Sequence, residues 1–228
     1  MSTSKVSYPL TSEVCRYCMS LIVLAAFLVS SISAFAYPRT DNDLIEMACG
    51  EENSRSILIA YDTIHGSTAE VGEHIGNNLC DRGFRVDLRL AAHVKDISMY
   101  DAVIVGSAIY QFTWLKGARD FLRQNQAALS QLPTAYFIVG ASMSEDTPEN
   151  REAVKKTFVD PVLEKFADIT PLSIGLFGGA VDFAENDYNF FEWIVLKILG
   201  LILGYTESAD WRNWDAVDSW SEELAGEL

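Results

Sequence analysis

Tyr61-Asp62-Thr63-Ile64-His65-Gly66-Ser67-Thr68 follows the apolar run 57–60 (Ile-Leu-Ile-Ala) and leads into a helix that is predicted to begin near Thr68. The turn is rich in hydroxyl groups, and its single glycine lets a ligand approach the backbone closely. A helix N-terminus presents unpaired N–H groups and the positive end of the helix dipole. The stretch therefore predicts an anion site, whose usual occupant is phosphate.

The composition of this turn excludes two common phosphate-binding loops. It has no Lys or Arg, so it is not a Walker loop, and it lacks the three glycines of the dinucleotide-binding fingerprint. The candidate phosphate-binding residues are Thr63, Ile64, His65, Gly66, Ser67 and Thr68. A phosphate favours protonated histidine, so His65 is expected to contact the phosphate rather than to act in acid/base catalysis. An ordinary strand-to-helix connection with a threonine cap is the alternative.

The order of apolar and alternating segments predicts the fold class. Residues 57–61, 102–106 and 135–140 are unbroken apolar runs, as expected for strands buried on both faces of a parallel sheet. Residues 84–90 and 172–176 alternate between apolar and polar residues, which is typical of edge strands. We predict a doubly wound α/β three-layer sandwich with a five-stranded parallel sheet in the order 2-1-3-4-5.

The predicted helices have clear boundary signals. Gly83 ends the first helix, and Thr147-Pro148 provides a cap and a first-position proline for a later one. Pro161 is expected to break or kink that later helix near Phe158. The last helix is predicted to run from about 211 to 224.

Ligands of such sheets bind at the carboxyl ends of the strands where the strand order reverses, so two further loops belong to the predicted site. The loop after the third strand supplies small residues for close approach and then aromatic walls for a flat ring. Its candidate residues are Ser107, Ala108, Ile109, Tyr110, Gln111, Phe112 and Trp114. Tyr110 is the first choice to stack on the ring and Phe112 or Trp114 the second, while packing beneath the next helix is the alternative for Trp114. The loop after the fourth strand adds Ser142 and Met143.

With these loops in this order, residues 56–228 resemble the flavodoxin family. More narrowly, Gly106-Ser107-Ala108-Ile109-Tyr110, Phe177-Gly178-Gly179-Ala180 and Asp210-Trp211 resemble the branch that contains the menaquinone-dependent protoporphyrinogen oxidases. The resemblance implies a flavodoxin-like fold, an FMN cofactor with its phosphate on residues 63–68, and an oxidoreductase or electron-transfer protein. A quinone or a redox protein is the implied partner. A binding module that kept the fold and lost the flavin is the competing class.

The first 36 residues are predicted to lie outside the fold. Lys5 and Arg16 precede an uncharged run, 17–36, that ends in the small-x-small pattern Ala34-Phe35-Ala36. This favours a signal peptide cleaved after Ala36, with a membrane anchor and a misassigned start codon of a cytosolic protein as alternatives. Residues 37–55 are polar and aperiodic and are predicted to form a linker.

The net charge and one further apolar segment limit the kinds of partner that this protein can bind. The net charge of −15 becomes −16 without the first 36 residues, which carry +1, and such a surface argues against binding of nucleic acid. The apolar segment 190–203 is predicted to be either a core helix or a face that rests on a membrane or a partner. A disulfide between Cys49 and Cys80 is allowed in an oxidising compartment but not required, and no metal site is predicted.

Overall fold

The computed structural model describes residues 44–110, 113–181 and 208–228. Strands and helices alternate along most of this chain. The strands are β1 (Met47–Cys49), β2 (Ser56–Asp62), β3 (Arg85–Leu90), β4 (Ala102–Tyr110), β5 (Thr113–Trp114), β6 (Thr134–Val139), β7 (Ile174–Phe177), β8 (Ala180–Val181) and β9 (Ala209–Asp210). The helices are α1 (Ser67–Asp81), α2 (Lys116–Leu129), α3 (Pro148–Val154), α4 (Asp160–Leu163) and α5 (Trp214–Glu227).

Five parallel strands form the centre of the sheet in the spatial order β3-β2-β4-β6-β7. In chain order this is 2-1-3-4-5, so the predicted doubly wound topology is confirmed. Every residue of β2 and of β6 is buried, as the unbroken apolar runs require. The switch in strand order falls between β2 and β4, which places the loops after these strands side by side.

Helices cover both faces of the sheet and enclose two apolar clusters. Side chains of β2 alternate between them: Ile57 and Ile59 face α1 and α5, whereas Leu58 and Ala60 face α2 and α3. This alternation follows from the two-residue period of a strand. The three-layer arrangement is thus the one that the sequence predicts.

One edge of the sheet differs from the prediction. The second parallel strand, β3, is not an edge, because β1 pairs with it in antiparallel orientation, with Met47 opposite Leu88 and Cys49 opposite Val86. The predicted linker 37–55 therefore contains a strand. Met47 and the preceding Leu44 and Ile45 pack against the core. The burial of these apolar side chains holds the segment on the sheet, although the residues around them are polar.

The segment that carries β1 is fixed at three points. The Tyr61 hydroxyl donates to the Ile45 carbonyl and accepts from the Ile45 N–H, each at 2.8 Å. The Glu46 carboxylate lies 2.8 Å from His93 Nδ1, and this hydrogen bond lowers the pKa of Glu46. A disulfide joins Cys49 to Cys80 of α1, with the two Cα atoms 6.1 Å apart.

The helix ends agree with the sequence except at α5. Gly83 has φ +90° just after α1, and Thr147 caps α3 by accepting the Asn150 N–H at 3.2 Å. Before Pro161 the helix widens into a π-helical turn, Lys155–Val159, because a proline ring cannot fit the regular ladder. The last helix begins at Trp214 rather than near 211, since β9 occupies 209–210 and the Asn213 side chain then accepts the Ala216 N–H.

Some predictions fall on parts of the chain outside the described residues. These are the signal peptide or anchor 1–36, the apolar segment 190–203, and the candidate ring contacts Gln111 and Phe112. Within the described ranges, none of the helices has the length and apolar character needed to cross a membrane.

Candidate functional site

The turn after β2 ends on an uncapped helix. Gly66 is the N-cap residue of α1 with φ +79°, and no side chain of the cap bonds the first-turn amides. The Glu70 N–H donates to the Gly66 carbonyl at 3.1 Å, which starts the helical ladder there. The alternative of a threonine cap is therefore wrong. The left-handed conformation explains why glycine stands at this position.

Thr68 is the buried hydroxyl of this helix end. Its side chain is 0% exposed, and among the described residues its Oγ1 has no hydrogen-bond partner. Thr63 is also buried, whereas Ile64, His65 and Ser67 are half-buried. A buried hydroxyl that lacks a partner costs about 1–3 kcal/mol, and an anion at the end of α1 would relieve that cost.

The loop after β4 is a hairpin with β5. Ile109 pairs with Trp114, and Tyr110 pairs with Thr113. The hydroxyl of Ser107 is buried at the base of this hairpin, where it accepts the Leu115 N–H at 2.9 Å and donates to the Ala108 carbonyl. Ser107 thus closes the loop beneath the predicted ring site.

The aromatic residues of this hairpin occupy different environments. Trp114 is 0% exposed and packs edge-on against Tyr136, with ring centroids 5.4 Å apart. This is the core packing that the sequence left open for Trp114, and it separates the indole from any ring bound at the surface. Tyr110 is half-buried, as are Ala108 and Ile109, so these residues can border a ligand.

The third loop contacts the second. A Cβ atom on Gly140 would lie 3.2 Å from Ile109 Cβ and 3.5 Å from Ser142 Oγ, so the glycine permits this close approach. Ser142 Oγ is buried and, in the described part of the chain, has no hydrogen-bond partner. Met143 is buried in the core below the loop.

Asn150 holds the third loop in place, although it is not among the site residues predicted from the sequence. Its amide Nδ2 donates to the carbonyls of Ser142 at 2.8 Å and Glu145 at 2.7 Å. The sequence does indicate such a role, because Asn150 lies three residues after the cap Thr147 and a side chain at that position of a helix tilts toward the helix N-terminus.

A basic residue also lies beside α1, although the loop itself has none. Arg212 is 12% exposed, forms a two-point ion pair with Asp210 at 2.9 and 2.6 Å, and bonds Glu70 in the first turn of α1. The hydrogen bonds from Arg212 lower the pKa of Asp210, and those with Asp210 raise the pKa of Arg212. Trp214 stacks on the guanidinium at 5.0 Å. Arg212 thus offsets the negative charge of Glu70 near the helix end.

Asp62 completes the inventory of polar groups at this edge. It is the last residue of β2 and is 4% exposed, and its Oδ2 accepts the Gly117 N–H of α2 at 2.7 Å. The site therefore combines a glycine-capped helix end, buried hydroxyls on two loops and a buried carboxylate. Within the described ranges, no group of three His, Cys, Asp or Glu side chains could hold a metal ion.

The structure is a doubly wound α/β sheet, and in such sheets ligands bind at the carboxyl ends of the strands where the strand order reverses. The chain belongs to the flavodoxin-domain family, whose model matches residues 58–209. It is also similar to a protein from Leishmania major named protoporphyrinogen IX dehydrogenase [quinone], with 22% identity over 182 residues and 75% of each chain covered.

Solved flavodoxins show the same distant likeness. A flavodoxin from the domain Archaea is 16% identical, with a TM-score of 0.43 and 75% of this chain and 97% of that one covered. Oxidised flavodoxin 1 from Bacillus cereus is 14% identical, with a TM-score of 0.43 and 76% and 99% covered.

Proposed function

We propose that this protein binds FMN non-covalently at the carboxyl edge of its sheet and transfers electrons through it. The observation that carries the proposal is the buried Thr68 hydroxyl at the N-terminus of α1, which has no hydrogen-bond partner in the part of the chain that the structure describes. A phosphate group would accept from that hydroxyl and from first-turn amides, and the helix dipole favours its negative charge. Membership in the flavodoxin-domain family supports the same assignment.

The other two loops fit the ring end of FMN. Tyr110 and Ile109 supply a half-buried apolar border, and Ser142 supplies a buried hydroxyl that lacks a partner among the described residues. Bound flavin would supply the redox chemistry. The residues of this chain would bind the phosphate, orient the ring and exclude water from it.

Titration of the apoprotein with FMN and, separately, with riboflavin tests this proposal. We expect FMN fluorescence to be quenched on binding and FMN to bind more tightly than riboflavin, because riboflavin lacks the phosphate. Absence of both fluorescence quenching and heat of binding at saturating FMN would reject the proposal and would favour a flavin-free binding module.

A quinone is the proposed electron acceptor. The support is the Leishmania major relative, whose name specifies a quinone-dependent protoporphyrinogen IX dehydrogenase. Protoporphyrinogen oxidation with menaquinone is therefore the specific enzymatic candidate, and a redox protein is the alternative acceptor. An anaerobic assay first mixes the reduced flavoprotein with menaquinone and then adds protoporphyrinogen as the electron donor. Oxidation of the flavoprotein by menaquinone without turnover of protoporphyrinogen would support a quinone-linked electron-transfer protein and reject the protoporphyrinogen-oxidising enzyme.

We also propose that the fold is exported, either cleaved after Ala36 or retained by its uncharged run 17–36 beside membrane quinones. The Cys49–Cys80 disulfide supports an oxidising compartment, in which such bonds persist. N-terminal sequencing and thiol labelling of the protein from its native cell test this. A soluble cytosolic product that begins near Met47 with both thiols reduced would contradict export.

A further inference from the structure

Arg119 is a half-buried cation without a counter-ion in the described part of the chain. Its side-chain Nε is buried and has no hydrogen-bond partner among residues 44–110, 113–181 and 208–228. Its guanidinium also takes no part in the ion pairs that α2 makes in these ranges. Burying a polar group without a partner is costly, and for a charged group the cost is larger. An anion supplied from outside the chain would remove this cost.

The other two cations of α2 are already paired. Lys116 and Arg123 both bond the Asp120 carboxylate, and their side chains are 83% and 65% exposed. Helix α2 carries these three cations and one acid, whereas α5 carries five acids and no cation. In a chain of net charge −15, an anionic ligand therefore meets much less repulsion beside α2 than beside α5.

Arg119 lies in the first turn of α2, close to the loops of the proposed FMN site. Its backbone N–H donates to the Leu115 carbonyl at 3.2 Å. The Leu115 N–H in turn donates to Ser107 Oγ, at the base of the hairpin. Helical side chains tilt toward the helix N-terminus, so the Arg119 side chain is directed toward the carboxyl edge of the sheet, where the hairpin begins.

Gln126 shows what lies further along the same side of α2, because residues seven positions apart share a helix face. Its Nε2 donates to Asp168 Oδ2 at 3.0 Å. That contact is two helical turns, roughly 11 Å, beyond Arg119. Asp168 therefore serves Gln126 and not Arg119.

We propose that Arg119 binds a carboxylate group of the electron donor and so favours donors that carry one. This inference rests on the proposed function, because it places the donor beside the flavin ring. A guanidinium presents parallel N–H donors in a planar fork that matches the two oxygens of a carboxylate. Protoporphyrinogen, the donor in the proposed reaction, has carboxylates, whereas menaquinone, the proposed acceptor, has none. Arg119 therefore assists binding of the donor and not of the acceptor.

The test uses protoporphyrin IX, the oxidised form of that donor, and its dimethyl ester, in which both carboxylates are blocked. Dissociation constants for the FMN-loaded protein are measured from the change in porphyrin fluorescence. We expect Arg119→Gln to lower the ratio of the ester constant to the acid constant roughly tenfold, as the loss of a hydrogen-bonded ion pair predicts. Arg119→Lys keeps the charge but not the planar fork, and should lower the ratio less.

Arg123→Gln is the matched control. It changes the net charge by the same amount on the same helix, but it removes a cation that is mostly exposed and already paired with Asp120. The control should leave the ratio unchanged. In both glutamine variants, FMN affinity and the rate at which menaquinone oxidises the reduced protein should equal those of the wild type.

Equal ratios in Arg119→Gln and Arg123→Gln overturn the inference, and so does failure of the wild type to bind protoporphyrin IX. Weaker FMN binding by Arg119→Gln would assign Arg119 to the cofactor and also overturns it. If the glutamine variant does not fold, an unchanged ratio in Arg119→Lys has the same meaning. Absence of FMN binding to the wild-type protein would instead refute the proposed function, and this inference with it.

Discussion

Replacing Thr68 by valine is expected to change the stability of the apoprotein and its affinity for FMN in opposite directions. Valine has nearly the shape of threonine but no hydroxyl, and the Thr68 hydroxyl is buried without a partner in the described part of the molecule. Leaving such a group unpaired costs about 1–3 kcal/mol, so its removal should raise the free energy of unfolding of the apoprotein by about 1 kcal/mol.

The affinity change follows from the charge of the phosphate. A hydrogen bond to a charged group contributes about 1.5–3 kcal/mol. Since about 1.4 kcal/mol is a factor of ten in an equilibrium constant, Thr68→Val should bind FMN roughly 10- to 100-fold more weakly. Riboflavin, which has no phosphate, should bind both proteins equally well.

Thr134→Val is the matched control because its hydroxyl is also buried but has partners for its O–H group. The single O–H of Thr134, at the amino end of β6, is shared between the carbonyls of Leu132 at 3.0 Å and Leu129 at 3.3 Å. Its removal should lower the free energy of unfolding by about 1 kcal/mol and leave FMN affinity unchanged.

Urea unfolding of the apoproteins and FMN titration of each variant provide the two readouts. Destabilisation of the apoprotein by Thr68→Val as large as that by Thr134→Val would show that the Thr68 hydroxyl is not an unpaired group. Binding of FMN by Thr68→Val as tight as by the wild type would show that this hydroxyl has no part in phosphate binding.

The helix cap Gly66, the disulfide and Tyr100 each give one more prediction. Gly66→Ala should cost about 1–2 kcal/mol of stability and weaken FMN binding, because φ at the helix cap is +79°; equal stability of this variant and wild type by urea unfolding would argue against the strain. Cys80→Ser should lose about 3 kcal/mol, and dithiothreitol should lower the melting temperature of the wild type but not of the variant, since both changes break the bond to Cys49. Burial, and next the hydrogen bond to Asp87, raise the pKa of Tyr100 to about 12. The contribution of neutral Tyr100 to the free energy of unfolding is therefore complete below pH 10 and is lost as the pH rises to about 12. Urea unfolding at several pH values across that range should show a smaller decrease in the free energy of unfolding for Tyr100→Phe than for the wild type.

The central strands and the glycine-containing turn after the first of them could be predicted from the sequence because their signals are local. The apolar runs that became β2, β4 and β6 are buried along their length, and the turn with Gly66 follows one of them directly. The sequence placed this turn and the start of α1 without any distant contact, but it left a threonine cap open, and the left-handed Gly66 at the N-cap decides against that cap.

Long-range contacts determine the features that the sequence did not reveal. Strand β1 is only three residues long, so it has no periodicity, and a disulfide that spans 31 positions holds it. The burial of Trp114 depends on its pairing with Ile109 and on packing against Tyr136. Asp62 stands in the stretch that determines the fold, yet its partner Gly117 lies 55 residues later.

The direction of β1 sets where a tether would attach. Because β1 runs antiparallel to β3, the chain that precedes Leu44 meets the fold at the carboxyl ends of the parallel strands, where Tyr61 holds Ile45. Seven residues, 37–43, separate the uncharged run from Leu44, and a chain of that length reaches at most roughly 30 Å. A bilayer that held residue 36 would therefore lie within roughly 30 Å of the edge of the sheet that carries the proposed FMN site, a distance that a lipid-soluble electron acceptor could close.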